Sequence, residues 1–360
     1  MLAVLLPLLH GLLLLGYLVA RWIVGEAPPD VPVAKFQRLW LGTRGVLTLL
    51  AEFTPFLFLP LPLWLISAAI ARTRRAIVAA AVPWLVFGWL YGELFLPHLP
   101  DAQPAGGPAL RVMTHNVLAA PRPADDLIRT IDGANPDVLL VQELTPALAT
   151  ALDKALASRY PYRRLRPGGW DGTGLWSRYP LLSEEQWDGS VLGAHWQHAV
   201  LDVNGRRLHV VNLHLITPRT RWRPVGAVPV PPVPLETSDS LQRRNVEVAR
   251  LATRLRGLAA GPEAALVAGD FNLTDQAAEY AALRDAGFGD AFRSAGWGFG
   301  TTFPVGRTTG VAGRRFLIPV PLVRIDYILY SPAITVRRAV VWPASGGSDH
   351  LPVVADLALR

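Results

Sequence analysis

Two polar side chains, Asp270 and Asn272, follow a short apolar run and have the types and spacing needed to handle a phosphate. The run Leu266–Ala268 has the composition of a buried strand, and Gly269 allows the backbone to turn sharply after it. Because the polar residues are two positions apart, their side chains point to the same side of an extended chain. An ordinary strand end with a turn has the same local pattern, so the interpretation depends on the other strand ends.

Polar side chains recur where other predicted strands lie or finish, at Asn116, Glu143, His214, Asp326, Asp349 and His350. Oxygen ligands in a chain without cysteine indicate a hard divalent cation, Mg²⁺ or Mn²⁺, and exclude thiolate metal sites. The two histidines beside carboxylates offer proton transfer near neutral pH. The set therefore fits metal-assisted attack of water on a phosphate ester. A lone aspartate within a strand, such as Asp326, is commonly structural unless it faces a charged partner.

The elements that would position these side chains alternate between strands and helices. The spacing predicts strands at 110–117 and 138–141 and helices at 124–133 and 145–157, the last capped by Thr145. We therefore expect polar residues at successive strand ends of an α/β domain.

Further along, the sequence predicts a hairpin and two long loops. Asn204-Gly205 joins the strands 199–203 and 208–215 and is a strong signal of a two-residue hairpin turn. The basic, proline-rich segment 217–237 is predicted to be an irregular surface loop, because its prolines exclude regular structure. The Gly- and Thr-rich segment 301–313 is also predicted to be a loop.

The first hundred residues are mostly apolar and contain three long, nearly uncharged runs. They predict transmembrane helices at about 2–24, 46–70 and 76–98, each long enough to cross about 30 Å of hydrocarbon. The start of the first run lacks the Lys or Arg that a signal peptide would carry there. A single such run is also compatible with a buried core helix, but three in succession indicate membrane spans.

Composition therefore divides the chain into a membrane region at 1–100, a Pro-, Gly- and Ala-rich linker at 101–108 and a soluble catalytic domain at 109–360. The formal net charge is +7, from 35 basic and 28 acidic residues. Seven of the basic and four of the acidic residues lie in the first hundred, which leaves about +4 for the remainder. That charge is weak evidence for a polyanionic partner.

Positive residues decide the predicted orientation of an integral, multi-pass protein of the inner cell membrane. Arg72, Arg74 and Arg75 fill the short turn between the second and third spans, which the positive-inside rule places in the cytoplasm. The third span then exits and puts the catalytic domain on the extracytoplasmic side. Basic residues after the first span favour the opposite orientation, but they are spread over a longer connection.

Seven short motifs together resemble the endonuclease/exonuclease/phosphatase superfamily, which includes deoxyribonuclease I, abasic-site endonucleases, sphingomyelinases and inositol-polyphosphate phosphatases. They occur in the family's order over almost all of residues 109–359, as Thr114-His-Asn116, Pro136-Asp-Val with Gln142-Glu143, Gly174-Leu-Trp-Ser-Arg178, Asn212-Leu-His214, Gly269-Asp-Phe-Asn272, Arg324-Ile-Asp-Tyr327 and Ser348-Asp-His350. The membrane region is outside this resemblance. The resemblance implies an α/β (α+β) fold, a four-layer sandwich of two packed β-sheets flanked by helices, with the site at one end.

The resemblance also implies a metal site. Glu143 would be the main ligand of Mg²⁺ or Mn²⁺, assisted by Asn116 and Asp349. Some members carry an acidic residue two positions after the first Asn, where this chain has Leu118. The resemblance therefore does not imply a second tightly held metal ion.

The remaining matching residues would perform the chemistry. Asp270 would orient or deprotonate the attacking water, and Asn272 would bind a non-bridging oxygen. His350 would contact the phosphate as base or charge stabiliser, with Asp326 fixing its tautomer. His214 would protonate or stabilise the leaving group. Whether Asp270 or His350 is the base stays open on the sequence.

Three functions remain open on the sequence. The first is a membrane-anchored, nuclease-like phosphodiesterase acting on nucleic acid. The second is a lipid or head-group phosphodiesterase or phosphatase, motivated by the membrane region and by the apolar loops Val225–Leu235 and Phe316–Val323. Packing of these loops against the sandwich is the favoured alternative to contact with a bilayer. The third is a catalytically dead, membrane-tethered binding module, which is disfavoured because every expected catalytic position is filled. The bilayer is the other expected partner, and no protein partner follows from the sequence.

The charge pattern makes a testable prediction about topology. A reporter that is active only outside the cytoplasm, fused after Arg360, should be active, because the third span is expected to exit the cytoplasm. A reporter that fluoresces only in the cytoplasm, fused at the same residue, is the matched control. Fluorescence from that control would contradict the predicted orientation.

Overall fold

The computed structural model describes residues 1–25, 50–97, 107–189, 195–217, 220–223, 233–236, 238–311 and 314–360. Two compact units make up the chain, Met1–Leu96 with Gln276–Ala278, and Pro97–Asp275 with Glu279–Arg360. The start of the predicted second span at 46–49 and most of the predicted linker lie outside the described residues. The same holds for most of the connection after the first span.

The first unit is built from apolar helices. They are α1 (Leu2–Gly25), α2 (Leu61–Ala71) and α3 (Arg74–Tyr91), with short 3₁₀ turns at Thr54–Phe58 and Gly92–Phe95. Three helical stretches in the described residues are long and apolar enough to cross a membrane: Leu2–Arg21, Thr54–Ala71 and Arg74–Phe95. Many of their large apolar side chains are exposed, which suits a surface whose solvent is lipid.

Polar side chains within the first unit bond to one another. Trp64 Nε1 donates to His10 Nδ1 at 2.9 Å, and His10 Nε2 lies 2.9 Å from the carbonyl oxygen of Leu57. The Tyr17 hydroxyl lies 2.7 Å from Thr54 Oγ1. These bonds satisfy polar groups that hydrocarbon would leave without a partner.

The second unit contains sixteen strands in its described residues. They are β1 (Ala109–Asn116), β2 (Val138–Gln142), β3 (Tyr162–Arg166), β4 (Thr173–Ser177), β5 (Leu181–Asp188), β6 (His195–Val203), β7 (Arg206–His214), β8 (Thr220–Arg223), β9 (Val233–Glu236), β10 (Ala264–Asp270), β11 (Gly289–Asp290), β12 (Thr308–Val311), β13 (Arg314–Leu317), β14 (Asp326–Tyr330), β15 (Ile334–Val341) and β16 (Val353–Leu359).

Twelve of these strands form two mixed, six-stranded sheets. The first has the order β15-β16-β1-β2-β4-β3 and the second the order β11-β14-β10-β7-β6-β5. β1 and β2 are parallel, as are β7 and β10, whereas the other neighbours are antiparallel. Apolar side chains from both sheets, such as Val112, Leu140, Val210 and Leu266, form one buried cluster between them.

Helices flank the two packed sheets: α4 (Asp125–Ala134), α5 (Pro146–Leu156), α6 (Ser238–Ala259), α7 (Ala278–Asp285) and the short α8 (Ala291–Ala295). Residues of α4 and α5, such as Leu127 and Leu152, pack with Met113 and Leu139 of the first sheet. Thr145 caps α5 as predicted, its side chain accepting from the backbone N–H of Leu148. The predicted sandwich of two packed sheets flanked by helices is therefore confirmed.

The hairpin prediction is confirmed, whereas both loop predictions were partly wrong. Asn204 (φ 55°) and Gly205 (φ 85°) connect β6 to β7 in the left-handed region that a type I′ turn requires. Inside the predicted loop 217–237, β8 pairs with β9, and inside 301–313, β12 lies opposite β13. A two-stranded ribbon consists of two edge strands, so Pro234 is tolerated opposite Trp222.

Two glycines with positive φ should respond differently to substitution by alanine. A Cβ added at Gly205 would meet open space, so Gly205→Ala should cost only the left-handed conformation, about 1–2 kcal/mol. Gly269 in β10 (φ 151°) would place a Cβ 1.9 Å from the carbonyl oxygen of Leu213, so Gly269→Ala should lower stability by about 3–5 kcal/mol. Thermal unfolding of the full chain in detergent measures both, and equal losses would contradict the packing argument.

Candidate active site

The polar residues selected from the sequence lie where several strands of the two sheets begin or end. Asn116 ends β1, Glu143 directly follows β2, His214 ends β7 and Asp270 ends β10. Asp326 starts β14, which runs antiparallel to β10 and places Asp326 opposite Asp270 in the register. His214 is the register partner of Asp270 on the other side, in the parallel strand β7. Strand ends therefore bring these side chains together, as expected at the carboxyl edge of parallel strands.

The carboxylate of Asp270 is the point where these side chains meet. Its Oδ2 accepts a hydrogen bond from Asn116 Nδ2 at 2.9 Å and lies 3.5 Å from His214 Nε2 and 3.8 Å from His350 Nε2. Its Oδ1 accepts from the backbone N–H of Asn272 at 2.9 Å. Burial raises the pKa of Asp270, while the nearby His350 opposes that rise.

His350 is held between two carboxylates. Its Nδ1 lies 2.9 Å from Asp326 Oδ2, so the ring directs Nε2 towards Asp270. Burial disfavours the charged ring, but the attraction of Asp326 and Asp270 outweighs this and raises the pKa of His350 to about 9. Asp326 is therefore the strand aspartate with a charged partner, which distinguishes it from an ordinary structural residue.

Glu143 and Asn116 form a second pair that contacts the first. Asn116 Nδ2 donates to Glu143 Oε1 at 3.0 Å, and Glu143 Oε2 accepts from the backbone N–H of Ala119 at 2.7 Å. The backbone of Glu143 has φ 58° and that of Leu118 has φ 56°, which are unusual for residues with a side chain. Such strain persists only where the surrounding structure holds it, and it is concentrated at functional sites.

Asp349 lies beside His350 and is almost completely buried. Its Oδ1 is 4.0 Å from His350 Nε2, and its Oδ2 forms an ion pair with Arg307 Nε. Neither carboxylate oxygen accepts a hydrogen bond from the described residues. Oδ1 in particular fits a cation, because a buried carboxylate oxygen without a hydrogen-bond donor is costly.

Two overlapping sets of residues suit a divalent cation. One ligand atom each from Asp270, Asp326 and His350 lie within 4.8 Å of one another. The set expected from the sequence is Glu143 with Asn116 and Asp349. It contacts the first set in two places, where Asn116 bonds to Asp270 and where Asp349 lies beside His350. Both sets are rich in oxygen, which is the donor chemistry that Mg²⁺ and Mn²⁺ prefer.

His214 and Asn272 complete the group of eight. His214 Nδ1 lies 2.8 Å from the carbonyl oxygen of Trp170, so Nδ1 donates and Nε2 faces Asp270. Asn272 has φ 48°, and its Nδ2 donates one hydrogen bond to the carbonyl oxygen of Leu215 at 3.0 Å. The second N–H of that amide is left to contact a ligand.

Gln142 and Asn212 belong to the sequence motifs, which gave them no role. Gln142 Nε2 donates to Asn212 Oδ1 at 2.7 Å and to Thr114 Oγ1 at 3.0 Å, which links the first sheet to the second. The motifs gave no role to Ser348 either, although its hydroxyl donates to the carbonyl oxygen of Asn116 at 2.7 Å and accepts from the backbone N–H of His350. For Asn212, the sequence did offer a signal: it lies two residues before His214, so both side chains point to the same side of the strand.

His115 is another buried polar residue behind the site. Its Nε2 lies 3.3 Å from the carbonyl oxygen of His350. Burial lowers the pKa of His115 to about 3, so the ring is neutral and donates through Nε2. His115 therefore holds the backbone of His350 and carries no charge near neutral pH.

Comparisons with known proteins agree with this geometry. The model of the family described as "Endonuclease/Exonuclease/phosphatase family" matches residues 113–350. Truncated TDP2 from Caenorhabditis elegans superposes with a TM-score of 0.52 at 18% identity, covering 69% of this chain and 98% of that one. An endonuclease/exonuclease/phosphatase from Bacteroides vulgatus gives 0.50 at 19% identity, covering 70% and 99%. These structural likenesses show the fold alone, and no curated protein matches the sequence.

The chain belongs to the endonuclease/exonuclease/phosphatase family, as the motifs indicated. Members of this family are hydrolases that act on phosphate esters, and they depend on divalent metal ions. The oxygen-rich, histidine-containing site lies within the matched residues.

The contact between Asp326 and His350 makes a prediction about proton affinity. Asp326→Asn should lower the pKa of His350 from about 9, because the substitution removes a negative charge while burial stays. Histidine ¹⁵N NMR of the full chain, titrated with EDTA present, measures this pKa. Asp356→Asn is the control, since Asp356 pairs with Arg111 elsewhere, and an unchanged pKa in Asp326→Asn would contradict the assignment.

Proposed function

We propose that this protein is a membrane-anchored, divalent-metal-dependent phosphoesterase, and that it acts most readily as a nuclease-like phosphodiesterase. The observation that carries the proposal is the convergence on buried Asp270 of the Glu143–Asn116 pair and the His350–Asp326 pair. Carboxylates, carboxamides and imidazoles within hydrogen-bonding reach are the groups required to activate water against a phosphate ester.

We assign the metal to Glu143, Asn116 and Asp349. Glu143 keeps Oε2 on the backbone N–H of Ala119, which fixes the carboxylate and directs Oε1 towards Asn116. The buried oxygens of Asp349 supply further negative charge on the side of His350. When bound, a divalent cation would polarise the phosphate and neutralise developing negative charge.

We assign the chemistry to residues around Asp270. Its buried carboxylate accepts the proton of the attacking water, and Asn116 and the Asn272 backbone keep it oriented. His350 donates from Nε2 to the phosphate, because its pKa of about 9 keeps both ring nitrogens protonated while Nδ1 donates to Asp326. His214, whose Nδ1 donates to the Trp170 carbonyl, donates from Nε2 to the leaving oxygen in its doubly protonated form. Asn272 contributes its remaining amide N–H to a non-bridging oxygen.

A lipid or head-group phosphoesterase is the second candidate. It is favoured by the three helices long enough to span a membrane and by two exposed apolar residues, Leu317 and Val320, at 62% and 57% exposure. Exposed apolar side chains that lie close together in the sequence suit contact with a bilayer or another apolar surface. For the membrane unit we propose three spans, with the catalytic unit on the extracytoplasmic side.

A substrate panel tests the proposal. The full chain in detergent, with Mg²⁺, is incubated with plasmid DNA, with sphingomyelin and with a simple bis-aryl phosphate diester. Cleavage of DNA supports the nuclease-like assignment, and cleavage of lipid alone supports the second candidate. If none of the three substrates is turned over, the proposed enzymatic activity is wrong and the binding module is the remaining hypothesis.

Glu143→Gln should abolish metal-dependent turnover, because it removes the negative charge proposed to bind the cation. The loss should be several powers of ten in rate, or roughly 4 kcal/mol or more of transition-state stabilisation. Glu263→Gln is the matched control, since Glu263 pairs with His209 away from the site. Wild-type rates for Glu143→Gln with Mg²⁺ would show that the metal assignment is wrong.

A further inference from the structure

Arg307 is a cationic residue at the active site that the motif analysis did not identify. Backbone hydrogen bonds tie its segment to the residues just before β16, since Val305 N donates to Asp349 O and Leu351 N donates to Thr302 O, both at 2.8 Å. The carbonyl oxygen of Arg307 accepts from Ile318 N at 2.8 Å. The backbone therefore holds the base of this side chain beside Asp349.

The guanidinium group of Arg307 lies at the rim of the site. Its Nε forms an ion pair with Asp349 Oδ2, and its Cζ lies 5.4 Å from the centre of the Phe303 ring. That ring packs 4.7 Å from the ring of His350. The guanidinium group of Arg307 therefore contacts both the carboxylate of Asp349 and the aromatic ring of Phe303, which borders His350.

The two faces of this contact differ in their access to solvent. The Arg307 side chain is 55% exposed, whereas that of Asp349 is only 5% exposed. Nε is the Arg307 nitrogen nearest Asp349, and more than half of the side chain is exposed, so the planar fork of terminal amino groups remains available to a ligand. Such a fork matches two oxygens of a phosphate in a bidentate arrangement.

A second arginine near the site does not have this freedom. The charges of Asp349 and Glu143 act on Arg122, but its guanidinium is only partly exposed, and burial lowers its pKa. Its Nη2 donates to the carbonyl oxygen of Val117, which holds the group against the backbone. Arg307 is therefore the better placed of the two to meet a substrate that arrives from solvent.

We propose that Arg307 is a substrate-binding residue of this site. Its terminal amino groups take two non-bridging oxygens of the reacting phosphate, while Nε stays on Asp349 Oδ2, and Oδ1 would be the oxygen left to hold a cation. This inference rests on the proposed function, and it makes the loop before β12 part of substrate recognition.

Three variants of the full chain in detergent test the proposal. Arg307→Ala removes charge and fork, Arg307→Lys keeps the charge alone, and Arg207→Ala is the control, removing an exposed arginine that pairs with Glu263 at 3.7 Å away from the site. We expect Arg307→Ala to raise KM for the diester and weaken binding of inorganic phosphate at least about tenfold, with Arg307→Lys intermediate. The control should match the wild type.

Metal binding, measured without turnover, separates substrate contact from mere support of Asp349. Mn²⁺ affinity, read by electron paramagnetic resonance, should change less than about threefold in Arg307→Ala. Weakened Mn²⁺ binding with unchanged phosphate binding would mean that Arg307 only orients Asp349, and the proposal would be overturned. Unchanged values for both would overturn it as well.

The phosphate-binding measurement also separates this inference from the proposed function. If the wild type binds phosphate through Arg307 but turns over no substrate, the proposed catalysis fails while the assignment of Arg307 stands. If the wild type is active and Arg307→Ala keeps its KM and its affinity for phosphate, only the assignment fails. Thermal unfolding of each variant shows whether it is folded. If Arg307→Ala does not fold, the phosphate affinity and KM of Arg307→Lys decide whether the assignment of Arg307 stands.

Discussion

One buried carboxylate, that of Asp270, is the constraint on which the rest of the domain depends. An ionised group so deeply buried is costly unless donors surround it. Its neighbours come from separate parts of the chain: Asn116 at the end of β1, His214 at the end of β7 and His350 before β16. The cluster forms only when both sheets are assembled and in register, so folding the domain and building the site are a single process.

The contact between the sheets behind the site is polar in an otherwise apolar core. Gln142 in β2 and Asn212 in β7 bond across the gap, and Asn212 Nδ2 also donates to the carbonyl oxygens of Val141 and Gly174 at 3.1 Å. Apolar packing alone allows one sheet to shift against the other at modest cost, whereas a broken buried hydrogen bond is expensive. This network therefore sets the relative position of the strands that carry Glu143 and His214.

Strained backbone accompanies the site on both sheets. Glu143 and Asn272 each follow a strand end directly or closely, and each has a positive φ although neither is glycine. Local preference opposes these conformations, so tertiary contacts must hold them, as the Ala119 N–H does for Glu143 and the Leu215 carbonyl does for Asn272. These turns place the backbone N–H of Asn272 on Asp270 and the carboxylate of Glu143 on Asn116, which itself donates to Asp270.

Most of the architecture could be predicted from local patterns, because the spacing of apolar residues, the turn residues and the length of each apolar run are local properties of the sequence. Asn204-Gly205 identified its hairpin, Thr145 its helix cap, and the uncharged runs the three apolar helical stretches. The motifs likewise selected eight polar residues that the fold brings together, since polar groups at strand ends leave a recognisable sequence.

What the sequence by itself determined is the set of elements, the family and the types of residue at the site. Only the tertiary structure decided which of those residues touch, because Asn116 and Asp270 are 154 positions apart and no local pattern encodes such a pair. It also decided that β8 and β9, and β12 and β13, form ribbons within segments whose composition resembles loops. Arg307 belongs to the same category, because its position beside Asp349 follows from long-range backbone hydrogen bonds and from no feature of its neighbours in sequence.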